Sequence, residues 1–303
     1  MAFGASNVSL GTAAGGYSVG DEYGGGIIFY LDGAGGGMVT ASEPRPFDSN
    51  LGRWTIFSDV AGADGVAIGT GYQNNLDIRA AGTCNAVNYV FDATINGQSD
   101  WFLPSQGELQ EVHNTVRQLM TYPTDNLWWS STEANASQAQ ALRPWNGSFQ
   151  AYAKGTALYC LPVRQVTNFN DPYIGQFTEG GIVFYINSAS REAYVVSLDT
   201  WQVRYGTTQP IWNALRFNQA QYIGQGPANT ALMLSTFGAS NDTHIAYYTQ
   251  TYSGGGFTDW FIPSNNTLRQ YSANRGFIDS QIIANGGTTR NTGGMLASNL
   301  ASE

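Results

Sequence analysis

Apolar residues in this chain come in short runs led by glycine, and one such run occurs twice. Gly25-Gly26-Ile27-Ile28-Phe29-Tyr30 returns as Gly180-Gly181-Ile182-Val183-Phe184-Tyr185. Aromatic and β-branched residues after a glycine pair predict a buried strand that begins at a bulge or turn. A second run follows each time, Met38-Val39-Thr40-Ala41 and Tyr194-Val195-Val196-Ser197. These predict hairpins, closed across Gly33-Ala34-Gly35-Gly36-Gly37 in one place and Ser188-Ala189-Ser190-Arg191 in the other. The period changes farther on. Leu109, Val112, Val116 and Leu119 recur at helical spacing, and Ser105 with Glu108 three residues later has the form of a capping box.

Two further matches keep the same order. Ile68-Gly69-Thr70-Gly71 returns as Ile223-Gly224-Gln225-Gly226 at the offset of the first match, and Asp100-Trp101-Phe102-Leu103-Pro104-Ser105 returns as Asp259-Trp260-Phe261-Ile262-Pro263-Ser264 at a slightly longer one. Three ordered matches identify two copies of one domain rather than a solenoid of short units. The expected layout is an N-terminal extension over 1–18, a first domain over 19–166 and a second over 173–303. The connector is Val166-Thr167-Asn168-Phe169-Asn170-Asp171-Pro172. In the second copy Ser264, Leu268 and Tyr271 keep the helix outline, but Thr267 stands where Glu108 would be, so the carboxylate half of the cap is lost. If Leu296-Ala297-Ser298 corresponds to Trp128-Trp129-Ser130, the second copy is shortened. Its sheet would then have an open edge for another chain or residues 1–18 to cover, unless the domain closes in its own way.

Composition narrows the partners. The 303 residues carry a formal net charge of -9 and charged residues make up 12% of the chain, with Lys154 as the sole lysine. Nucleic acid and anionic membrane surfaces are therefore not expected partners, since phosphate binding needs clusters of Lys and Arg. The N-terminus has no basic region and no apolar core of signal-peptide type, so synthesis without a signal peptide is the expectation. Runs such as Ile27-Ile28-Phe29-Tyr30-Leu31 are too short for membrane insertion. Two cysteines, Cys84 and Cys160, exclude a disulfide-rich scaffold; a single bridge and two reduced, buried thiols both remain open.

The motifs resemble the Lcl C-terminal-domain family, a domain of unknown function related to the C-type-lectin fold. The carriers are Gly25 to Tyr30, then Asp100-Trp101-Phe102-Leu103-Pro104-Ser105-Gln106-Gly107-Glu108-Leu109, then Trp129-Ser130-Ser131-Thr132-Glu133, then Lys154 and Pro162-Val163-Arg164. The second copy keeps the first two motifs and departs from the rest. The resemblance implies an α+β protein of two tandem C-type-lectin-like domains, each with a small twisted antiparallel sheet, one or two helices and long loops. It also implies a setting like that of similar domains in phage structural proteins and bacterial surface proteins.

Catalytic chemistry finds little footing in the sequence. His113 and His244, the two histidines, do not occupy matching positions, so a duplicated histidine site is excluded. Asp100 and Asp259 recur in both copies and read as side chains capping their loops. Trp101 and Trp260 read as core anchors, with Pro104 and Pro263 setting the entry into the helix. Ser130-Ser131-Thr132 reads as a strand end whose hydroxyls satisfy local backbone groups. A lectin-type calcium site is not expected: Trp145-Asn146-Gly147 has glycine where a carboxylate is needed, and Glu43-Pro44-Arg45 has arginine where an amide is needed. No cofactor and no metal are expected. The glycine-rich runs lack the context of a phosphate loop.

Recognition is the better match to the residues. The stretch 133–152 mixes amides, hydroxyls and aromatics, and Glu133, Asn135, Arg143, Trp145, Asn146 and Tyr152 are the expected ligand-binding residues; a solvated hairpin with its aromatics folded inward is the alternative. The expected function is a non-enzymatic bacteriophage virion protein, a tail, neck or head-fibre subunit. It would bind neighbouring virion proteins or a second copy of itself, and a host-surface glycan or protein. A bacterial cell-surface adhesin domain is the second expectation and a carbohydrate-active enzyme the third.

Overall fold

The two hairpins written into the apolar runs are the centres of two separate units. The computed structural model describes residues 5–9, 16–45, 50–122, 126–187, 192–199, 222–237 and 245–288. One compact unit is Thr12–Asp171; the other is Pro172–Glu303 together with Met1–Gly11. Within the N-terminal extension expected over 1–18, the described residues 5–9 pair with the second unit. The protein is α+β, with small and mainly antiparallel sheets.

In the first unit a hairpin of β3 (Gly26–Leu31) and β4 (Gly37–Thr40) lies between β2 (Glu22–Tyr23) and β9 (Val163–Val166), in the order β2-β3-β4-β9. Ile27 pairs with Thr40 and Ile28 with Val39; the register then slips so that Tyr30 faces Met38, which leaves Phe29 bulged. A bulge bends its strand and strengthens the local twist. Only glycine fits at the start of β3, because a Cβ on Gly26 would lie 2.3 Å from the Thr40 carbonyl oxygen. Ile27, Phe29 and Met38 pack on Leu109, Val112 and Val116, the apolar stripe of α3 (Gln106–Thr115). That stripe is shorter than its spacing predicts. Val116 caps the helix, Arg117–Leu119 turns as a 3-10 helix, and Leu119 is exposed.

A second sheet, β7-β6-β5-β8, is built from β5 (Trp128–Asn135), β6 (Gln138–Arg143), β7 (Ser148–Ala153) and β8 (Tyr159–Cys160). Neighbouring strand residues point to opposite faces, and the adjacent tryptophans of β5 serve two cores. Trp128 joins the cluster around α3, whereas Trp129 joins Trp54, Ile78, Val87, Val90 and Trp101. The latter cluster is roofed by α1 (Gly71–Ala81) and α2 (Asn85–Phe91). Ser130, Ser131 and Thr132 are fully buried in the middle of β5 rather than at its end. Their hydroxyls reach beyond local groups. Thr132 Oγ1 donates to the Gly65 carbonyl (2.8 Å) and accepts from the Gln106 N–H (2.9 Å).

The second unit repeats the hairpin with the same irregularity. In β11 (Gly181–Asn187) and β12 (Glu192–Ser197), Ile182 pairs with Val196 and Val183 with Val195, and the slip then leaves Phe184 bulged. Here β10 (Phe177–Thr178) takes the place of β2. The fourth strand comes from the other end of the chain: β1 (Ala5–Ser9) runs antiparallel to β12, from Ala5 opposite Val196 to Ser9 opposite Glu192. The sheet order is β1-β12-β11-β10, so β1 stands where β9 stands in the first unit. The open edge expected on the second copy is therefore covered by the N-terminal strand. Leu296-Ala297-Ser298 lie outside the described residues.

Helices α4 (Gly226–Phe237), α5 (Ile245–Thr251), α6 (Asn265–Ala273) and α7 (Arg275–Ala284) complete this unit. The Gly71 and Gly226 of the repeated motif each open a helix. Ser264 caps α6, accepting from the Thr267 N–H (3.4 Å), with a Ser264–Thr267 hydroxyl pair at 2.8 Å in place of the carboxylate. Ile278 and Ile282 of α7 pack with Ile182, Phe184 and Tyr271. A helix thus lies against this hairpin, an element the sequence pattern did not predict.

Both halves of the capping box form at α3. Ser105 Oγ accepts from the Glu108 N–H (3.2 Å), and Glu108 Oε2 accepts from the Ser105 N–H (2.8 Å). Glu108 Oε1 also accepts from the N–H groups of Gly69 (2.9 Å) and Gly71 (3.1 Å), which ties the start of α1 to the start of α3. Burial pushes the Glu108 carboxyl above its ordinary pKa, against the opposing pull of the Ser105, Gly71 and Gly69 N–H groups. Glu108→Ala strands three N–H donors and is expected to lower the unfolding free energy by at least about 2 kcal/mol in urea titrations. A raised folded pKa stabilises most below the ordinary value and loses that contribution as pH rises through the folded value. The gap between wild type and variant should accordingly narrow toward alkaline pH.

Candidate functional site

The β6–β7 hairpin carries most of the residues expected to bind a ligand. Its connection, Pro144-Trp145-Asn146-Gly147, is held from within. The Gly147 N–H donates to the Arg143 carbonyl (2.8 Å), and Asn146 Oδ1 accepts from the Ser148 N–H (3.0 Å) and hydroxyl (2.8 Å). It is also held from below, because Gly147 lies on the His113 ring of α3 in the left-handed region (φ +73°), where a Cβ would be 2.6 Å from the ring. Both constraints leave Trp145 projecting, with 45% of its surface exposed. Asn146 is exposed beside it.

Along the strands next to this turn, alternate residues share a face. Arg143 faces Ser148 and Ala141 faces Gln150. The Arg143 guanidinium donates to Gln150 Oε1 and, at 3.4 Å, to the Tyr152 hydroxyl. Gln150 is exposed, and Tyr152 is half-buried with its ring on the core. Gln150 was absent from the expected set, although its period-2 spacing with Tyr152 places it on the same face.

The six expected residues do not converge. Asn135 ends β5 beside the turn into β6, at the far end of β6 and roughly 20 Å away at the rise of a strand. There its Oδ1 accepts from the Ser137 N–H and hydroxyl, both at 3.0 Å. Glu133 turns its side chain inward, with 6% of it exposed. It is paired with Lys154, whose side chain is fully buried, and Glu133 Oε2 accepts from the Val60 N–H (2.8 Å). Lys154 Nζ also donates to the Ser58 carbonyl (2.9 Å) and sits 5.4 Å from the Trp54 ring centroid. Glu133 is thus a structural residue that moors the loop at 58–60, a correction to its expected ligand-binding role. What remains as a surface is Arg143, Trp145, Asn146 and Gln150, with Tyr152 supporting it.

The other groups considered for chemistry are also committed. Asp100 does not cap its own loop; it takes a two-pronged pair from Arg164, with Nε at 2.8 Å and Nη2 at 3.0 Å. Trp101 is buried, as is Trp260, and its indole N–H donates to the Gln98 carbonyl (3.0 Å). Pro104 and Pro263 are buried beside them. Cys84 and Cys160 are free, buried thiols in one core cluster. Burial pushes both thiol pKa values up, which disfavours the reactive thiolate. His244 lies outside the described residues.

Arg45, part of the segment compared with a calcium motif, lies 4.2 Å over the Tyr89 ring. Among the described residues no group of three or more His, Cys, Asp and Glu side chains is placed to hold a metal ion, and no helix is long and apolar enough to cross a membrane. A shallow, mainly apolar cavity of about 260 Å³ lies between α4 and α5, against Trp260 and Phe261. Its Thr230 hydroxyl is already engaged with the Gly226 carbonyl and the Ile262 N–H, both at 2.9 Å. No protein-family model matches the chain, and no curated protein matches it.

Two outcomes test this account. Lys154→Met leaves Glu133 charged and buried without its partner, and should cost about 3–5 kcal/mol in denaturant unfolding. The double variant Lys154→Met/Glu133→Gln should recover part of that loss. Burial, and secondarily Arg117, hold His113 below the ordinary histidine pKa, while the Pro144 backbone acts the other way. Proton NMR of a His244→Gln variant should show His113 titrating below the free-histidine value; a normal or raised midpoint would contradict the packing under Gly147.

Proposed function

We propose that this protein is a non-enzymatic recognition subunit of a bacteriophage virion, and that its first unit binds a host-surface glycan through the β6–β7 turn. The observation that carries the reading is the exposed Trp145, held on a turn braced by the Asn146 cap and by His113 beneath Gly147. An aromatic side chain carried on a braced turn can stack on a sugar ring with little further ordering of the backbone. Asn146, Arg143 and Gln150 supply hydrogen-bonding groups around it. The scarcity of lysine and the abundance of glycine and tyrosine support placement in a particle surface. So does the resemblance of the motifs to Lcl C-terminal domains. Coverage of the β12 edge by β1 removes one reason to expect a neighbour there, so the reading rests on the turn and not on an unfinished domain.

Mass spectrometry of purified virions should find the chain at stoichiometric abundance. Full-length protein on a glycan array should bind a defined sugar, and Trp145→Ala should weaken that binding by roughly tenfold or more with an unchanged melting temperature. Absence from virions excludes the virion part of the reading. A ligand that Trp145→Ala binds equally well excludes the turn, and a ligand cleaved on prolonged incubation points to an enzyme.

A further inference from the structure

Among the ion pairs of the described residues, Lys154–Glu133 is set apart because both of its ends are shut away. Lys154 has 0% of its side chain exposed and Glu133 6%, whereas the carboxylates paired with Arg79, Arg164 and Arg275 are at least 21% exposed. Two charges are thus withdrawn from water together, which is costly for an ion pair even when its geometry is good. The cation is also the chain's sole lysine. A guanidinium keeps its charge under ordinary conditions, but an amine that gives up a proton becomes a nucleophile.

The hydrogen bonds around this pair match an amide better than they match two ions. An ammonium has three N–H donors. Lys154 Nζ has two acceptors, Glu133 Oε1 and the Ser58 carbonyl (2.9 Å), and its other neighbour is the Trp54 ring, 5.4 Å to the centroid. Glu133 Oε2 has one donor, the Val60 N–H at 2.8 Å. Removal of one water from the pair would leave a secondary amide, with one N–H for Ser58 and one C=O for Val60. Both partners are already in place, and neither buried charge would remain. The hydrogen bond between Nζ and Oε1 also holds the nitrogen beside the carboxyl carbon, so the two reacting groups are brought together by the fold.

We propose that Lys154 and Glu133 condense into an intramolecular amide cross-link. A proton passes from Nζ to Oε1, which leaves a neutral amine beside a neutral acid. The Nζ lone pair adds to Cδ, and the charge that develops on Oε2 is held by the Val60 N–H. The Cδ–Oε1 bond then breaks. Oε1 departs as water with the proton it received and a second proton from Nζ, and the nitrogen keeps its third. No oxidant, reductant or other reactant enters the balance. Glu133 lies in β5 and Lys154 just follows β7, with β6 between those strands, so the link closes a ring around β6, β7 and the turn that carries Trp145. The cross-link does not depend on what that turn binds.

Mass spectrometry of the full-length protein, after prolonged incubation at neutral pH, tests it. The wild-type chain should be lighter than its sequence by one water, about 18 Da. Digestion at Trp145, Phe149 and Tyr152 should leave the peptides that contain Glu133 and Lys154 joined, with the same loss of mass. The Lys154→Met/Glu133→Gln variant has neither reacting group and should keep its full mass. Full sequence mass in the wild-type chain overturns the proposal, and so does a lost water that maps to any other residues. The wild-type mass is read directly, so a variant that fails to fold does not blur the result. Binding or loss of binding by Trp145→Ala leaves this mass unchanged, and the glycan reading therefore stands or fails separately.

Discussion

A long irregular stretch of backbone, partly withdrawn from water, is the constraint around which many polar side chains of the first unit are arranged. The described residues of 41–70 contain no helix and no strand beyond a single bridge at Arg45, yet they are tied by hydrogen bonds to α1, α3 and β5. Each N–H and C=O taken from water there needs a partner, because an unpaired buried group costs about 1–3 kcal/mol. Side chains provide them. Glu108 answers Gly69 and Gly71, Asn74 answers both backbone groups of Gly65, Thr132 answers the Gly65 carbonyl, and the Lys154–Glu133 pair answers Ser58 and Val60. Charged and amide groups that look like chemistry in the sequence are therefore spent on architecture. The chain's sole lysine is fully buried for this reason.

The two units share a hairpin with the same slipped register and diverge around it. Phe29 and Phe184 occupy equivalent bulges, and Gly26 and Gly181 both meet a carbonyl oxygen of the partner strand too closely for any Cβ. Such backbone constraints persist while the surroundings change. On the covering side the first unit has α3 and the Trp128 strand, whereas the second has α6 and α7. At the outer edge, β9 in one is replaced by β1 in the other. Closure of a sheet needs backbone pairing in register, and any stretch of chain able to reach the edge can supply it.

This arrangement shapes the functional reading. A recognition surface needs exposed side chains on a defined backbone, and the β6–β7 turn supplies both because its braces are local hydrogen bonds and a histidine ring rather than ligand contacts. Glu133 and Trp145 lie in one stretch of sequence but on opposite sides of this division. Composition alone makes them equals. Burial separates them.

Local features were legible in the sequence wherever short-range rules decide the outcome. The repeated hairpins followed from β-branched runs after glycine pairs, the α3 capping box from Ser105 and Glu108, and the loss of the carboxylate cap at Thr267 from the residue itself; the hydroxyl pair that replaces it came from the structure. Helix α1 was not legible, because Asn74 and Asn75 face inward and no apolar stripe marks it. The Asp100–Arg164 and Glu133–Lys154 pairs join residues far apart along the chain, so no spacing rule reveals them. The chain by itself determined where strands and caps begin, since those depend on neighbours within a few residues. Which strand closes the second sheet, which carboxylates are buried and which tryptophan faces solvent were decided by the tertiary structure alone, because pairing and desolvation depend on what the fold brings alongside.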